Sequence, residues 1–235
     1  MTGLSQHQLA ALDSYDDLMR RHPELFRGRC LRPIVTDRSA RMAYSLEHDV
    51  ILGVAAETPF QLFVVDLVAS TPADGGVHYH IYSRLLSRAQ IEGGNGVVVL
   101  ATVENPTIGA LGSIVLVEQE RHALGRLALE LPRGFGEMGL RGEELALAEL
   151  REETGFIGHA PRLIGRSYSD SGTTDARVSF FHVGVTGREE AHAENTEAIS
   201  MVRLMRLGEL WEEILSGRIR DAFTIQAIAF FQKAR

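Results

Sequence analysis

The chain has 235 residues, enough for one sizeable domain or two small ones, and its 45% apolar and 23% charged content is that of an ordinary globular protein. A formal charge of −7 argues against a nonspecific nucleic-acid binder, which needs a basic footprint; a phosphate-bearing ligand would need local positive charge from a metal or an arginine. Cys30 is the single cysteine, so no intrachain disulfide is expected, and the absence of a leader pattern or a bilayer-length apolar run fits a cytoplasmic protein with no membrane partner.

In chain order, residues 5–21 predict an amphipathic helix with Leu9, Leu12 and Met19 among its apolar positions, ended at or before Pro23. Asp37 is placed to cap a second short helix. These first 50 residues read as a helical extension suited to packing or dimer contact. From Pro59 the period changes to strands. Residues 60–68 are apolar and β-branched, and Val77, Tyr79 and Ile81 alternate with His78, His80 and Tyr82. The Thr71-Pro72-Ala73-Asp74-Gly75-Gly76 run between them is turn chemistry, so 51–94 is expected to hold an antiparallel β-hairpin. Histidines at the spacing of His78 and His80 suit zinc, but no third ligand lies nearby, and the pair reads as the hairpin's polar face.

Gly93-Gly94-Asn95-Gly96 marks a boundary, and 95–235 reads as the main domain. Strands are expected at 97–103 and 113–117, then at 163–167 and 178–185, with helices at 207–215 and 221–233. Between the two pairs of strands lies a loop with Gly134, Gly136, Gly139 and Gly142, a run without Gly or Pro over 143–154, and Gly155. That is a loop, a helix and a glycine stop, so the fold class is α/β. Glu149, Glu152 and Glu153 recur at i, i+3 and i+4, which puts three carboxylates on one side of the helix. No Lys or Arg within the helix shares that side; Arg151 points elsewhere. Such a face is either solvated or neutralised by a hard divalent cation, and the glycines that frame the helix favour the cation.

The stretch from Gly134 to Phe156 resembles the signature box of the Nudix hydrolases, G-x5-E-x7-R-E-U-x-E-E-x-G-U, where U is apolar. Gly134, Glu149, Leu150, Glu152, Glu153, Gly155 and Phe156 match it; Leu140 and Ala148 stand where the box has glutamate and arginine. The flanks resemble the ADP-ribose pyrophosphatase branch: Arg121, the Glu130-Leu131-Pro132 triplet, the Ser169-Asp170-Ser171-Gly172 turn, acids around Glu194 and Glu197, and the stretch 217–224. Leu127 stands near the place where that branch often carries an aromatic residue ahead of the triplet. The likeness runs from about Phe60 onward and leaves 1–50 outside it.

The resemblance implies a Nudix-type α/β/α sandwich with a mixed sheet, a Mg2+ or Mn2+ cofactor, and a homodimer built through the hairpin region. It implies metal ligation by Glu149, Glu152 and Glu153, with the Arg133 carbonyl as a further ligand. Arg121, Glu130, Arg133 and Gly134 become candidates for substrate binding, and Glu197 or Glu194 for the general base. In the family the box arginine helps hold the glutamates, so Ala148 thins that support. The implied activity is metal-dependent hydrolysis of ADP-ribose or a related nucleoside diphosphate derivative to AMP and ribose 5-phosphate. The alternative is a weakened Nudix domain that senses such a ligand without turning it over.

Overall fold

The structure, a computed structural model, describes residues 3–28, 31–72, 75–136, 141–191 and 198–234. Cys30, Leu140, Glu194 and Glu197 lie outside the described residues. The chain divides into two units. One holds the described residues up to Glu92 together with Asp170–Ala176; the other holds Gly93–Ser169 and those from Arg177 onward.

In the first unit, helix α1 (Gln6–Arg21) opens on a capping box: Ser5 Oγ accepts the Gln8 N–H at 3.2 Å, and Gln8 Oε1 accepts the Ser5 N–H at 2.8 Å. Helix α2 (Arg38–His48) is capped by Asp37, whose carboxylate accepts the Ala40 N–H at 2.6 Å, as its sequence position predicts. The expected hairpin is β2 (Gln61–Ser70) paired with β3 (His78–Ser87), in register from Gln61↔Ser87 to Ser70↔His78. A third strand absent from the sequence reading, β1 (Gly53–Glu57), pairs with β2 and makes a three-stranded antiparallel sheet. The short helix α3 (Arg88–Ile91) follows. His80 Nε2 lies 3.1 Å from Ser70 Oγ on the exposed part of the hairpin.

Beneath α1 a polar group sits in an apolar core of Leu18, Val64, Val68 and Leu86. The Tyr15 hydroxyl donates to Asp66 Oδ1 at 2.5 Å, and Arg84 Nε donates to Asp66 Oδ2 at 2.6 Å. Burial pushes the Tyr15 phenol well above its ordinary range, and the Asp66 charge pushes in the same direction.

The second unit is a mixed sheet between helices. Its strands are β4 (Gly96–Val103), β5 (Ile114–Arg121), β6 (Arg126–Glu130), β7 (Arg133–Gly134), β8 (Phe156–Tyr168), β9 (Arg177–Arg188) and β10 (Ile199–Met205). They run in the order β10-β5-β4-β9-β8, with β6 on β5 and β7 on β4; β4 and β9 are parallel and every other pair is antiparallel. Side chains alternate across a strand, and both faces of β4 are covered. Val97, Val99, Ala101 and Val103 pack under Leu145, Ala146 and Leu150 of α4 (Gly142–Thr154). Val98 and Leu100 face Leu210 of α5 (Leu207–Leu215) and Ala227, Ile228 and Phe231 of α6 (Ala222–Lys233). That is the α/β/α layering the resemblance implies. Burial on both faces explains why β4 reads as a nearly continuous apolar run, interrupted only by Thr102. No helix among the described residues is long and apolar enough to cross a membrane.

Candidate active site

The site is built on α4. Its interior lacks Gly and Pro, Glu143 and Glu144 sit in its first turn, and Leu145, Ala146 and Leu150 bury one stripe against the sheet. Gly155 ends it with φ at 71°, its N–H on Arg151 O at 2.8 Å. A side chain at Gly155 would place Cβ 2.3 Å from Glu189 O, so both conformation and space require glycine. Arg151 pairs with Glu189.

The three glutamates share a side of the helix but not an environment. Glu153 is buried, Glu149 half-buried and Glu152 exposed. The difference comes from β7, which crosses beside α4 and is fixed to β4 through Val98↔Arg133 and Val97↔Gly134. Glu153 Oε2 accepts the Arg133 N–H at 3.2 Å. Glu149 runs along the bare Cα of Gly134: a Cβ there would lie 1.6 Å from Glu149 Oε1. The structure thus brings together Glu149, Glu153, Arg133 and Gly134, with Glu152 on the solvent side. Among the described residues no three His, Cys, Asp or Glu side chains converge into a metal-ligand cluster.

A second group of charges joins the first through Arg133. Glu130, at the end of β6, is 1% exposed. Arg121, at the end of β5, pairs with its Oε1, and Arg133 Nη2 lies 3.3 Å from its Oε2. The Arg121 contact is close but poorly aligned: Arg121 Nε and Glu130 Oε1 are buried without a hydrogen-bond partner among the described residues. Burial holds the Glu130 carboxyl above the usual carboxylate range, outweighing the pull of Arg133 and Arg121 in the opposite direction. Arg133 Nη1 is also 3.2 Å from Asp221 Oδ1, and its guanidinium lies over the Phe223 ring at 5.2 Å.

Asp221, Phe223 and Thr224 had no role in the sequence reading, although they lie in the stretch matched to the ADP-ribose branch. Their signal is local: an Asp three residues before a Thr, ahead of an apolar run, marks a helix N-cap. Asp221 Oδ2 does cap α6, accepting the Thr224 N–H at 2.8 Å. What the pattern does not disclose is the partner of the other oxygen. Ala148, at the box arginine position, is half-buried on α4.

The Nudix domain profile matches residues 94–225, more than half of the chain. The chain belongs to the Nudix family. The resemblance of its box to that of the Nudix family holds. It is 31% identical over 122 residues to an ADP-ribose pyrophosphatase of Bacillus subtilis (strain 168), covering 52% of this chain and 66% of that protein. It is 35% identical over 74 residues to an ADP-sugar pyrophosphatase of Mus musculus, covering 32% of this chain and 34% of that one. The chain therefore spans just under two thirds of the first relative's length and about a third of the second's. Among solved structures, an ADP compounds hydrolase superposes with a TM-score of 0.64 over 88% of this chain and 95% of that one, at 14% identity. That likeness is one of fold.

Proposed function

We propose that this Nudix protein hydrolyses the pyrophosphate bond of ADP-ribose or a related nucleoside diphosphate derivative, giving AMP and ribose 5-phosphate. The observation that carries this proposal is the packing of Glu149 and Glu153 against Gly134 and Arg133. Two carboxylates are held at a glycine-rich strand end, where main chain can approach a phosphate closely.

The donor set is all oxygen, which suits Mg2+ or Mn2+. Glu149 and Glu153 would hold the ion, and Glu152, exposed on the same side of α4, would swing in to join them; the Arg133 carbonyl is the further donor proposed. Such an ion supplies positive charge to phosphoryl oxygens and acidifies water. The remaining work falls to the chain. Arg121 offers its guanidinium to a phosphate oxygen at the mouth of the Glu130 cluster. Glu130 keeps that guanidinium in place, and Gly134 leaves room for both carboxylate and substrate. A carboxylate from the acidic segment, Glu194 or Glu197, takes the proton as water oxygen bonds to phosphorus and the bridging P–O bond breaks. The three-stranded sheet of the first unit is proposed as a homodimer contact, supported by the exposed Tyr79 and Ile81 on its edge strand β3.

The test is a substrate panel of ADP-ribose, other nucleoside diphosphate derivatives and nucleoside triphosphates, read by AMP release with Mg2+ and Mn2+ varied. AMP from ADP-ribose supports the proposal. Pyrophosphate from a triphosphate with ADP-ribose intact moves the protein to the triphosphate branch. Ala148 favours a second reading, a sensor; measurable ADP-ribose binding with no product from any substrate would establish it.

A further inference from the structure

Ala148 leaves α4 without an arginine at the position where the box has one, and Arg151 is engaged by Glu189. Glu153 nonetheless has a firm contact, the Arg133 N–H at 3.2 Å. That contact is only as well placed as Arg133 itself. The Arg133 side chain is gripped from two directions, by Glu130 Oε2 at 3.3 Å and Asp221 Oδ1 at 3.2 Å, with Phe223 beneath it. Asp221 is fixed in turn. Its Oδ2 accepts both the N–H and the hydroxyl of Thr224 at 2.8 Å, and Thr224 Oγ1 accepts the Leu131 N–H at 3.0 Å. The first turn of α6 thus holds the strip 131–133 at two points, and that strip presents its next N–H to the box glutamate.

We propose that Asp221, acting through Arg133, is the positioning residue that gives the α4 glutamates the support Ala148 cannot. Its two oxygens divide the work: Oδ2 caps α6, and Oδ1 orients the guanidinium whose own main chain meets Glu153. Strand pairing of β7 with β4 covers two residues, with Val99 N–H on Pro132 O at 2.9 Å beside it, and holds the main chain; the charged clamp holds the side chain, which that pairing does not. Placement matters at this scale, because a misplacement of about 1 Å at a reacting centre costs on the order of a hundredfold in rate. The inference rests on the proposed metal site at Glu149, Glu152 and Glu153.

Asp221→Asn separates the two tasks, since Asn caps a helix about as well as Asp but, with its one acceptor oxygen on Thr224, turns an NH2 group rather than an oxygen toward the guanidinium. Arg133→Gln breaks the same clamp from the other end and leaves the cap untouched. In both variants amide hydrogen exchange at residue 133, measured on metal-free protein, should quicken at least tenfold while the α6 amides stay protected. Mn2+ affinity by calorimetry should fall about tenfold in both, and in Asp221→Asn, which leaves the arginine in place, kcat on ADP-ribose should fall with KM little changed. Adding Ala148→Arg to Asp221→Asn should restore most of the Mn2+ affinity, whereas Ala148→Arg alone should add little. Unchanged exchange at residue 133 in both variants would overturn the proposal, as would a loss of Mn2+ affinity that Ala148→Arg does not restore. If the native chain neither binds Mn2+ nor turns over ADP-ribose, the proposed function fails by itself; the exchange measurement still decides whether Asp221 sets Arg133.

Discussion

A methyl group at Gly134 would land 1.6 Å from Glu149 Oε1 and 1.9 Å from its Cδ. Those atoms end a flexible side chain, so the helix and strand need not move; Glu149 swings off instead. Gly134→Ala is therefore expected to change the melting temperature by no more than a few degrees while lowering Mn2+ affinity at least tenfold. A large stability loss with unchanged affinity would place Glu149 outside the metal site. The partner residues respond differently because their surroundings differ. Glu153→Gln removes the charge while keeping an oxygen for the Arg133 N–H. Glu152→Gln removes charge from an exposed position where glutamine suits a helix as well as glutamate. Both variants should fold normally and bind Mn2+ more weakly in a calorimetric titration. Native affinity in both would remove the metal-site proposal.

At the scale of elements, what could be read from sequence is what local chemistry determines. α4 was legible because an unbroken helix-forming run meets a glycine stop, and α2 because Asp37 stands where a cap belongs. β1, β7 and β10 were not. β7 is two residues long, too short for any period, and β10 mixes exposed and half-buried positions with a register shift between Ile199 and Met201. The spacing of Glu149, Glu152 and Glu153 gave their common side, but their unequal burial is set by β7, a neighbour in space that no period announces. The same holds for Asp221, whose capping role is local and whose grip on Arg133 spans 88 positions. Gly155 shows the local kind of constraint at full strength. Its left-handed conformation costs another residue about 1–2 kcal/mol, and the close Glu189 carbonyl adds a backbone clash that no side-chain rotation relieves. Gly155→Ala should destabilise by roughly 2 kcal/mol or more, lowering the melting temperature by about 4–8 °C in a chain of this size. An unchanged melting temperature would show that α4 ends elsewhere.

For the whole molecule, stability is shared between two cores of different character. The described core of the second unit around β4 is apolar on both faces. The first unit buries Tyr15, Asp66 and Arg84 together, and this makes its contribution dependent on pH. Tyr15 donates to an ionised carboxylate, a bond of a kind worth about 1.5–3 kcal/mol, so Tyr15→Phe should cost that much near pH 7. Asp66 keeps Arg84 in the variant, which argues for the lower end of the range. The phenol's pKa is raised in the folded chain, so its contribution is complete below the unfolded value near 10 and declines as pH rises toward the folded one. Above pH 10 the unfolded chain sheds this proton while the folded chain retains it. The native protein should then lose about 1.4 kcal/mol by pH 11 that Tyr15→Phe does not lose. A net charge of −7 makes general repulsion grow in both proteins as pH rises, so the difference between them isolates Tyr15. Denaturant unfolding of both from pH 8 to 11 should show the two stability curves converging. Parallel curves across that range would mean that the phenol ionises in the folded chain at its ordinary pKa, and that its bond to Asp66 is not the buried contact described.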